Sequence, residues 1–186
     1  MPVEALIVDN FDSFTYNILA LLNRIGIKAT VVSNDSLRGI GYFDRVIISP
    51  GPGNPNIESD RGDLFEFLDS GNFGKILGIC FGHEALGIYL GGAIYRTERP
   101  MHGEVDRVKH FGGDIFRGVP DEFEAIRYHS LALKLPRHVL VKAVSSTDGT
   151  VMAFSSSNGR FSGLQFHPES FYSQFGNVIL SNFMGD

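Results

Sequence analysis

Ile76-Leu77-Gly78-Ile79-Cys80-Phe81-Gly82-His83-Glu84-Ala85-Leu86 is the stretch on which the fold turns. Its short apolar run reads as a buried strand. The run ends in Gly78-x-Cys80-x-Gly82, and a helix-compatible segment follows from His83 to Leu90. A tight strand-to-helix turn of this kind lifts one side chain above a sheet, and its glycines relieve the crowding around it. The turn also places Cys80 at a helix N-terminus, where unpaired N–H groups and the helix dipole favour a thiolate. A lone cysteine is more often buried and inert, so the elbow gains meaning only from the rest of the chain.

Upstream, Val3 to Asp9 reads as a first strand, apolar on both faces as in the centre of a parallel sheet. Apolar residues then recur at helical spacing from Phe14 to Ile25, and Gly26 stops the helix. Strands are expected over Lys28 to Ser33, Arg45 to Ser49 and Lys75 to Ile79, with a helix over Asp60 to Asp69. This alternation with short connections means a parallel α/β sheet wrapped by helices. After Gly91-Gly92 the pattern changes. Segments at Ala93–Tyr95, Asp106–His110, Phe123–Arg127, Leu140–Ser145, Val151–Ser156 and Phe161–Phe166 read as strands, and Asp148-Gly149 and Asn158-Gly159 read as hairpin turns. Val178 to Met184 reads as a closing helix. Residues 1–186 are therefore expected to form a single domain, with an antiparallel part after the parallel half.

Composition narrows the function classes. Charged residues make up 20% of the chain and hydrophobic residues 43%, which suits a folded domain and not a disordered one. The net charge of −5, with no basic tract, argues against nucleic-acid binding. The single cysteine excludes an intrachain disulfide framework and a Cys-based zinc cage, and fits a reducing compartment. No leader is legible at the N-terminus, and no apolar run approaches the ~20 residues of a membrane span, so a cytoplasmic location is expected.

Ligands of open parallel sheets sit beyond the carboxyl ends of the strands, which gathers the loops after Val8, Ser49 and Ile79 at one site. A cysteine nucleophile needs a base, and the base needs an orienting group. Gln165-Phe166-His167-Pro168-Glu169-Ser170 offers both, with His167 and Glu169 two residues apart across a stiff proline. The loop Pro50-Gly51-Pro52-Gly53-Asn54-Pro55 removes donors at its prolines and holds the remaining backbone N–H groups in place, as an oxyanion hole requires. The N–H after the nucleophile, on Phe81, is the usual second donor. No metal constellation is evident. His83 and His129 read as structural, and His110 and His138 as surface residues.

Asp9-Asn10-Phe11-Asp12-Ser13-Phe14, Ser49-Pro50-Gly51-Pro52-Gly53-Asn54-Pro55, Gly78-Ile79-Cys80-Phe81-Gly82-His83, Met101-His102-Gly103, Arg127-Tyr128-His129-Ser130-Leu131 and the His-Pro-Glu segment resemble class I (triad) glutamine amidotransferases, in order and over essentially the whole chain. The narrower pieces resemble the small subunits of anthranilate synthase and aminodeoxychorismate synthase. The resemblance implies a flavodoxin-like open α/β sheet, mostly parallel, with an antiparallel C-terminal part and helices on both faces. It implies a catalytic triad of Cys80, His167 and Glu169, with Gly51 and Phe81 as the oxyanion hole. It places Gly53, Glu84, Ser130 and Leu131 at the amino-acid end of glutamine. Asp9, Asn10 and Ser13 would order the adjacent loop, and Met101, His102 and Gly103 would couple the site to a partner. That partner would be a chorismate-binding synthase large subunit, in tryptophan biosynthesis or in the folate pathway. No cofactor, nucleic acid or membrane is implied.

One position departs from the family: Glu84 stands where an amide side chain is usual. Taken as ionised, it would repel the carboxylate of glutamine and weaken binding; turned outward on its helix, it would have no effect. Two other readings remain open on the residues alone: a non-catalytic regulatory subunit on the same fold, and a Cys-dependent hydrolase acting alone on another amide.

Overall fold

The computed structural model describes residues 4–185. Its centre is one nine-stranded sheet in the order β2-β1-β3-β4-β9-β8-β7-β5-β6. The strands are β1 (Ala5–Asp9), β2 (Ala29–Ser33), β3 (Phe43–Ile48), β4 (Phe73–Ile79), β5 (Ala93–His110), β6 (Glu122–Lys134), β7 (Val139–Ser145), β8 (Val151–Ser156) and β9 (Phe161–Leu164). From β2 to β9 neighbours run parallel, and from β9 to β6 antiparallel. The C-terminal β9 thus returns beside β4 and completes the parallel half, which brings the segment after Leu164 next to the elbow after Ile79.

Helices cover both faces of the parallel half. On one, α1 (Thr15–Arg24) and α5 (Gly176–Met184) bury Ile18, Leu22, Ile179, Leu180 and Phe183 against Ile7, Ile47, Leu77 and Leu164. On the other, α3 (Leu64–Ser70) and α4 (Phe81–Tyr89) bury Leu64, Phe67, Leu68, Phe81 and Leu86 against Leu6, Val8, Val46, Ile48 and Ile76. Adjacent strand residues therefore feed opposite cores, which is why these strands are apolar throughout instead of alternating.

Three expectations change. The helix expected over Asp60 to Asp69 is two pieces, α2 (Glu58–Arg61) and α3, because Gly62 adopts a positive φ of 56° and passes under the 33–36 turn. A Cβ at Gly62 would stand 2.6 Å from the Asn34 carbonyl oxygen. The segments expected near Tyr95 and Asp106 are one strand, β5, whose register slips between Arg96 and Met101 and again between His102 and Glu104. Pro100 and Gly103 sit in those irregularities and hide the strand. His110, expected at the surface, is buried: it stacks on Phe116 with ring centroids 4.6 Å apart, and its Nε2 donates to the Pro120 carbonyl at 2.9 Å.

Candidate active site

The elbow forms as the glycine spacing requires. Cys80 has φ 52° and ψ −103°, a conformation that side-chain-bearing residues rarely adopt, and α4 begins at the next residue. A Cβ at Gly78 would lie 2.2 Å from the Gly82 carbonyl oxygen, and one at Gly82 would lie 2.4 Å from that of Ile48. Both glycines are thus fixed by close backbone approach. Phe81, as first residue of the helix, has an amide with no partner inside it.

The segment following β9 carries the candidate base. His167 Nδ1 and Glu169 Oε1 are 2.7 Å apart, both buried. That contact assigns the proton of the neutral ring to Nδ1 and turns Nε2 away from the carboxylate. Nε2 is buried, and the Cys80 thiol beside it is close enough to raise the imidazole pKa. The thiol itself points to the Tyr128 carbonyl at 3.8 Å. Burial pushes the Cys80 pKa up, and the neighbouring His167 only partly opposes this. Burial thus opposes the thiolate that the helix N-terminus and the imidazole favour. Burial pushes His167 down, but the adjacent Cys80 and Glu169 outweigh it and hold the imidazole well above its ordinary pKa. Phe14 and Tyr128 flank the ring, each with centroids 5.3 Å from it.

The Pro-Gly loop is held by buried amides. Asn10 Nδ2 donates to the Ser49 carbonyl at 2.8 Å, and Asn34 Nδ2 donates to Asn10 Oδ1 at 3.0 Å and to the Asp60 carbonyl at 2.9 Å. Asp60 Oδ2 accepts from the Asn54 amide at 2.8 Å. A Cβ at Gly51 would be 2.5 Å from Asn10 Cβ and 3.4 Å from Phe81 Cγ, so the Gly51 loop lies directly against the start of α4. Gly53 has φ 91°, and a Cβ there would meet the Asp60 carboxylate. Asp9 accepts from Thr15 Oγ1 at 2.7 Å, and Asp12 accepts from the Phe14 amide, also at 2.7 Å. Ser13 is exposed and makes none of these contacts, so the ordering expected of it falls to Asp12 and Thr15. Asn34 and Asp60 carry no motif; their spacing from Asn10 in sequence left them invisible.

Glu84 faces inward. It is 4% exposed, and its Oε1 accepts a hydrogen bond from Gln165 Nε2 at 3.1 Å. Burial raises its pKa to about 8, against smaller opposite effects of Gln165 and His167. Both sequence-based alternatives are thereby corrected: the side chain neither turns outward nor is mainly ionised near neutral pH. A protonated carboxyl keeps one O–H donor and a carbonyl acceptor, one donor fewer than the amide it replaces.

On the far wall, β6 runs past the thiol. The Tyr128 carbonyl faces Cys80, and Ser130 and Leu131 follow it along the strand. Met101 and His102 oppose the residues just before them across the β5–β6 ladder, where Met101 pairs with His129 and His102 with Tyr128. The exposed His102 ring packs edge-on to Tyr128 at 5.9 Å, and a Cβ at Gly103 would be 3.1 Å from Tyr128 Cε1. Tyr128, given no individual role by the sequence, thus touches the thiol, the imidazole and the exposed loop. Among the described residues no group of His, Cys, Asp or Glu is placed to hold a metal, and no helix is long and apolar enough to cross a membrane.

A thiol on a strained elbow, an imidazole braced by a carboxylate and a rigid Pro-Gly loop beside them are the parts that an α/β enzyme with a cysteine nucleophile needs. The family model Glutamine amidotransferase class-I matches residues 6–186, and the chain belongs to that family. Anthranilate synthase component 2 of Methanothermobacter marburgensis is 42% identical over 96% of this chain and 96% of its own length. The protein of that name from Saccharolobus solfataricus is 39% identical with the same coverage of both. Aminodeoxychorismate synthase of Streptomyces pristinaespiralis is 36% identical over 97% of this chain, which spans 26% of that longer protein. Among solved structures, a candidate GMP synthase component from Thermoplasma acidophilum superposes with a TM-score of 0.88 at 28% identity, over 100% of this chain and 94% of that one. A glutamine amidotransferase from Thermotoga maritima shares the fold with a TM-score of 0.80 at 16% identity, over 100% of both chains.

Proposed function

We propose that this chain is the glutaminase subunit of an anthranilate synthase, releasing ammonia from glutamine for a chorismate-binding large subunit in cytoplasmic tryptophan biosynthesis. The observation that carries the pathway is end-to-end similarity to anthranilate synthase component 2 from two organisms, at 42% and 39% identity. An aminodeoxychorismate synthase partner is the second reading, supported by relatives such as the Streptomyces protein at 36% identity.

In this reading His167 removes the Cys80 proton as sulfur attacks the side-chain amide carbon of glutamine. The resulting oxyanion is held by the Gly51 and Phe81 amides. Two such donors contribute roughly 3 kcal/mol each to lowering a barrier of this type. His167 then passes the proton to the departing nitrogen, ammonia leaves, and a glutamyl thioester remains. Water, deprotonated by His167, attacks the thioester; glutamate departs and the thiol regains its proton. Glu169 keeps the imidazole in the tautomer that leaves Nε2 for sulfur. Gly53, Glu84 and the Ser130–Leu131 backbone hold the amino-acid end of the substrate, and Met101, His102 and Gly103 meet the partner.

The test is capture of this chain from extract of its own cells, with mass spectrometry of what accompanies it. Reconstitution with the captured synthase follows, with glutamine as the only nitrogen source. Anthranilate formed by the native chain but not by Cys80→Ala supports the proposal. Aminodeoxychorismate as product moves the chain to the second reading, and glutaminase activity surviving Cys80→Ala overturns the assigned chemistry.

A further inference from the structure

Behind the β6 wall lies a charged network that the reaction does not use. Arg127 is 0% exposed, and its Nη1 donates to Asp106 Oδ2 at 2.6 Å while Nη2 lies 3.0 Å from Asp148 Oδ2. Asp106 also accepts from the Ser145 and Thr147 hydroxyls, each at 2.6 Å. Arg127 Nε donates to His129 Nε2 at 2.9 Å. An imidazole that accepts at Nε2 carries its proton on Nδ1, and that atom lies 2.8 Å from the Leu131 carbonyl oxygen. Burial and the Arg127 charge lower the His129 pKa to about 4, so the ring stays neutral and its polarity fixed.

The network has a specific place in the ladder. The β5–β6 register shifts between Arg96 and Met101, whose partners on β6 are Leu131 and His129. Ser130, between them, therefore has no paired residue on β5. At this interruption side chains hold the β6 backbone: the Thr97 hydroxyl donates to the Ser130 carbonyl at 3.2 Å, and His129 Nδ1 donates to the carbonyl of Leu131, the last paired residue before the slip. Stability does not account for this arrangement, since apolar packing of the same volume is often as stable as a buried ion pair or more so. A fixed backbone geometry does account for it.

We propose that Arg127, acting through His129, is a positioning residue that sets the Ser130–Leu131 backbone for the amino-acid end of glutamine and ties it to the turn holding Thr147 and Asp148. This inference rests on the glutamine site proposed above.

Two reagents separate the roles on the chain's single cysteine. Diazo-oxo-norleucine must be held by its amino-acid end before it alkylates Cys80; iodoacetamide need not be. His129→Gln keeps an acceptor for Arg127 and loses the donor to Leu131. It is expected to slow inactivation by diazo-oxo-norleucine about fivefold, the equivalent of one hydrogen bond, with iodoacetamide alkylation within about twofold of the native rate. His129→Asn, which retains an N–H near the Nδ1 position but loses the acceptor for Arg127 Nε, is expected to slow the diazo reagent alone, by about threefold. Asp148→Asn, at the half-exposed end of the network, perturbs the core least and is expected to slow the diazo reagent alone, by about threefold. Equal slowing of both reagents, or none, in His129→Gln and Asp148→Asn overturns the inference. Failure of diazo-oxo-norleucine to label native Cys80 instead strikes the glutamine reading itself.

Discussion

Glu84 on the first turn of α4 accepts a hydrogen bond from Gln165 at 3.1 Å, so a carboxyl is buried between the elbow and the segment after β9 that carries the base. Its pKa of about 8 makes it neutral near pH 7 and an anion above that value. The substrate's own carboxylate is repelled only by the anion. The KM for glutamine is therefore expected to be flat below pH 8 and to rise as pH passes through about 8. In Glu84→Gln the rise disappears, while KM near neutrality stays within about twofold. Initial rates across pH for both proteins check this; parallel profiles would sink it.

The same carboxyl lowers stability. Its folded pKa of about 8 stands above the ordinary 4.5, so the native state binds the proton more tightly than the unfolded chain. This favourable linkage is fully present below pH 4.5 and is lost as pH rises through about 8. Glu84→Gln, which cannot ionise, is expected to stabilise the fold at neutral and alkaline pH by a few kcal/mol and to change little at acid pH. Denaturant unfolding at two pH values measures it.

The contact of His167 Nδ1 with Glu169 Oε1 at 2.7 Å gives a different kind of prediction. In Glu169→Gln, an amide N–H placed against Nδ1 stabilises the opposite tautomer, in which Nε2 carries the proton and cannot accept one from Cys80. Glutaminase kcat is expected to fall by about a hundredfold or more, with KM changed by less than about threefold. The imidazole titration followed by NMR is expected to move to lower pH, because one of the charges that holds it up is gone. A kcat within tenfold of native would show that the carboxylate is not orienting the base.

Much of this was legible because the relevant signals are local. The elbow glycines, the apolar parallel strands and the two hairpin turns each encode their geometry within a few residues, and the structure keeps all of them. What escaped depends on partners remote in sequence. Asn34 holds the Pro-Gly loop through Asn10, 24 residues away, and binds the carbonyl of Asp60, 26 residues away, whose carboxylate accepts from Asn54. The side Glu84 faces is set by Gln165, 81 residues away, and with it the charge state. The long strand β5 was hidden because Pro100 and Gly103 occupy its register slips, opposite the functional stretch of β6. The break at Gly62 follows from its approach to Asn34, which no helical periodicity encodes.

Gly78 tests the elbow apart from its chemistry. A Cβ there would stand 2.2 Å from the Gly82 carbonyl oxygen and 2.7 Å from the His83 amide nitrogen, both backbone atoms that cannot move independently. Gly78→Ala is expected to cost at least about 3 kcal/mol of stability, or to prevent folding. Gly149→Ala, at φ 72° but with open space around it, should cost only about 1 kcal/mol. Thermal unfolding of the pair measures the difference, and equal costs would mean that the turn relaxes more than its backbone contacts allow.

The resting position of the thiol leads to the last prediction. Cys80 Sγ lies 3.8 Å from the Tyr128 carbonyl, burial raises its pKa, and the neighbouring His167 opposes this. Sulfur and imidazole are thus close enough to shift each other's pKa, while the thiol is shared with the Tyr128 carbonyl. Tyr128 also packs against the exposed His102, so a surface docked on the 101–103 loop bears on the residue the thiol contacts. Freeing the thiol for the imidazole on docking would confine ammonia release to the assembled complex. Glutaminase kcat is therefore expected to rise about tenfold or more on adding the large synthase chain, with a smaller change in KM. His102→Ala is expected to reduce that rise while leaving the basal rate of the free chain within about twofold. Steady-state glutamate release, measured with and without the partner for both proteins, decides it. Equal turnover in the free and bound states would mean that the observed geometry is already the working one and that the Tyr128 carbonyl does not restrain the thiol.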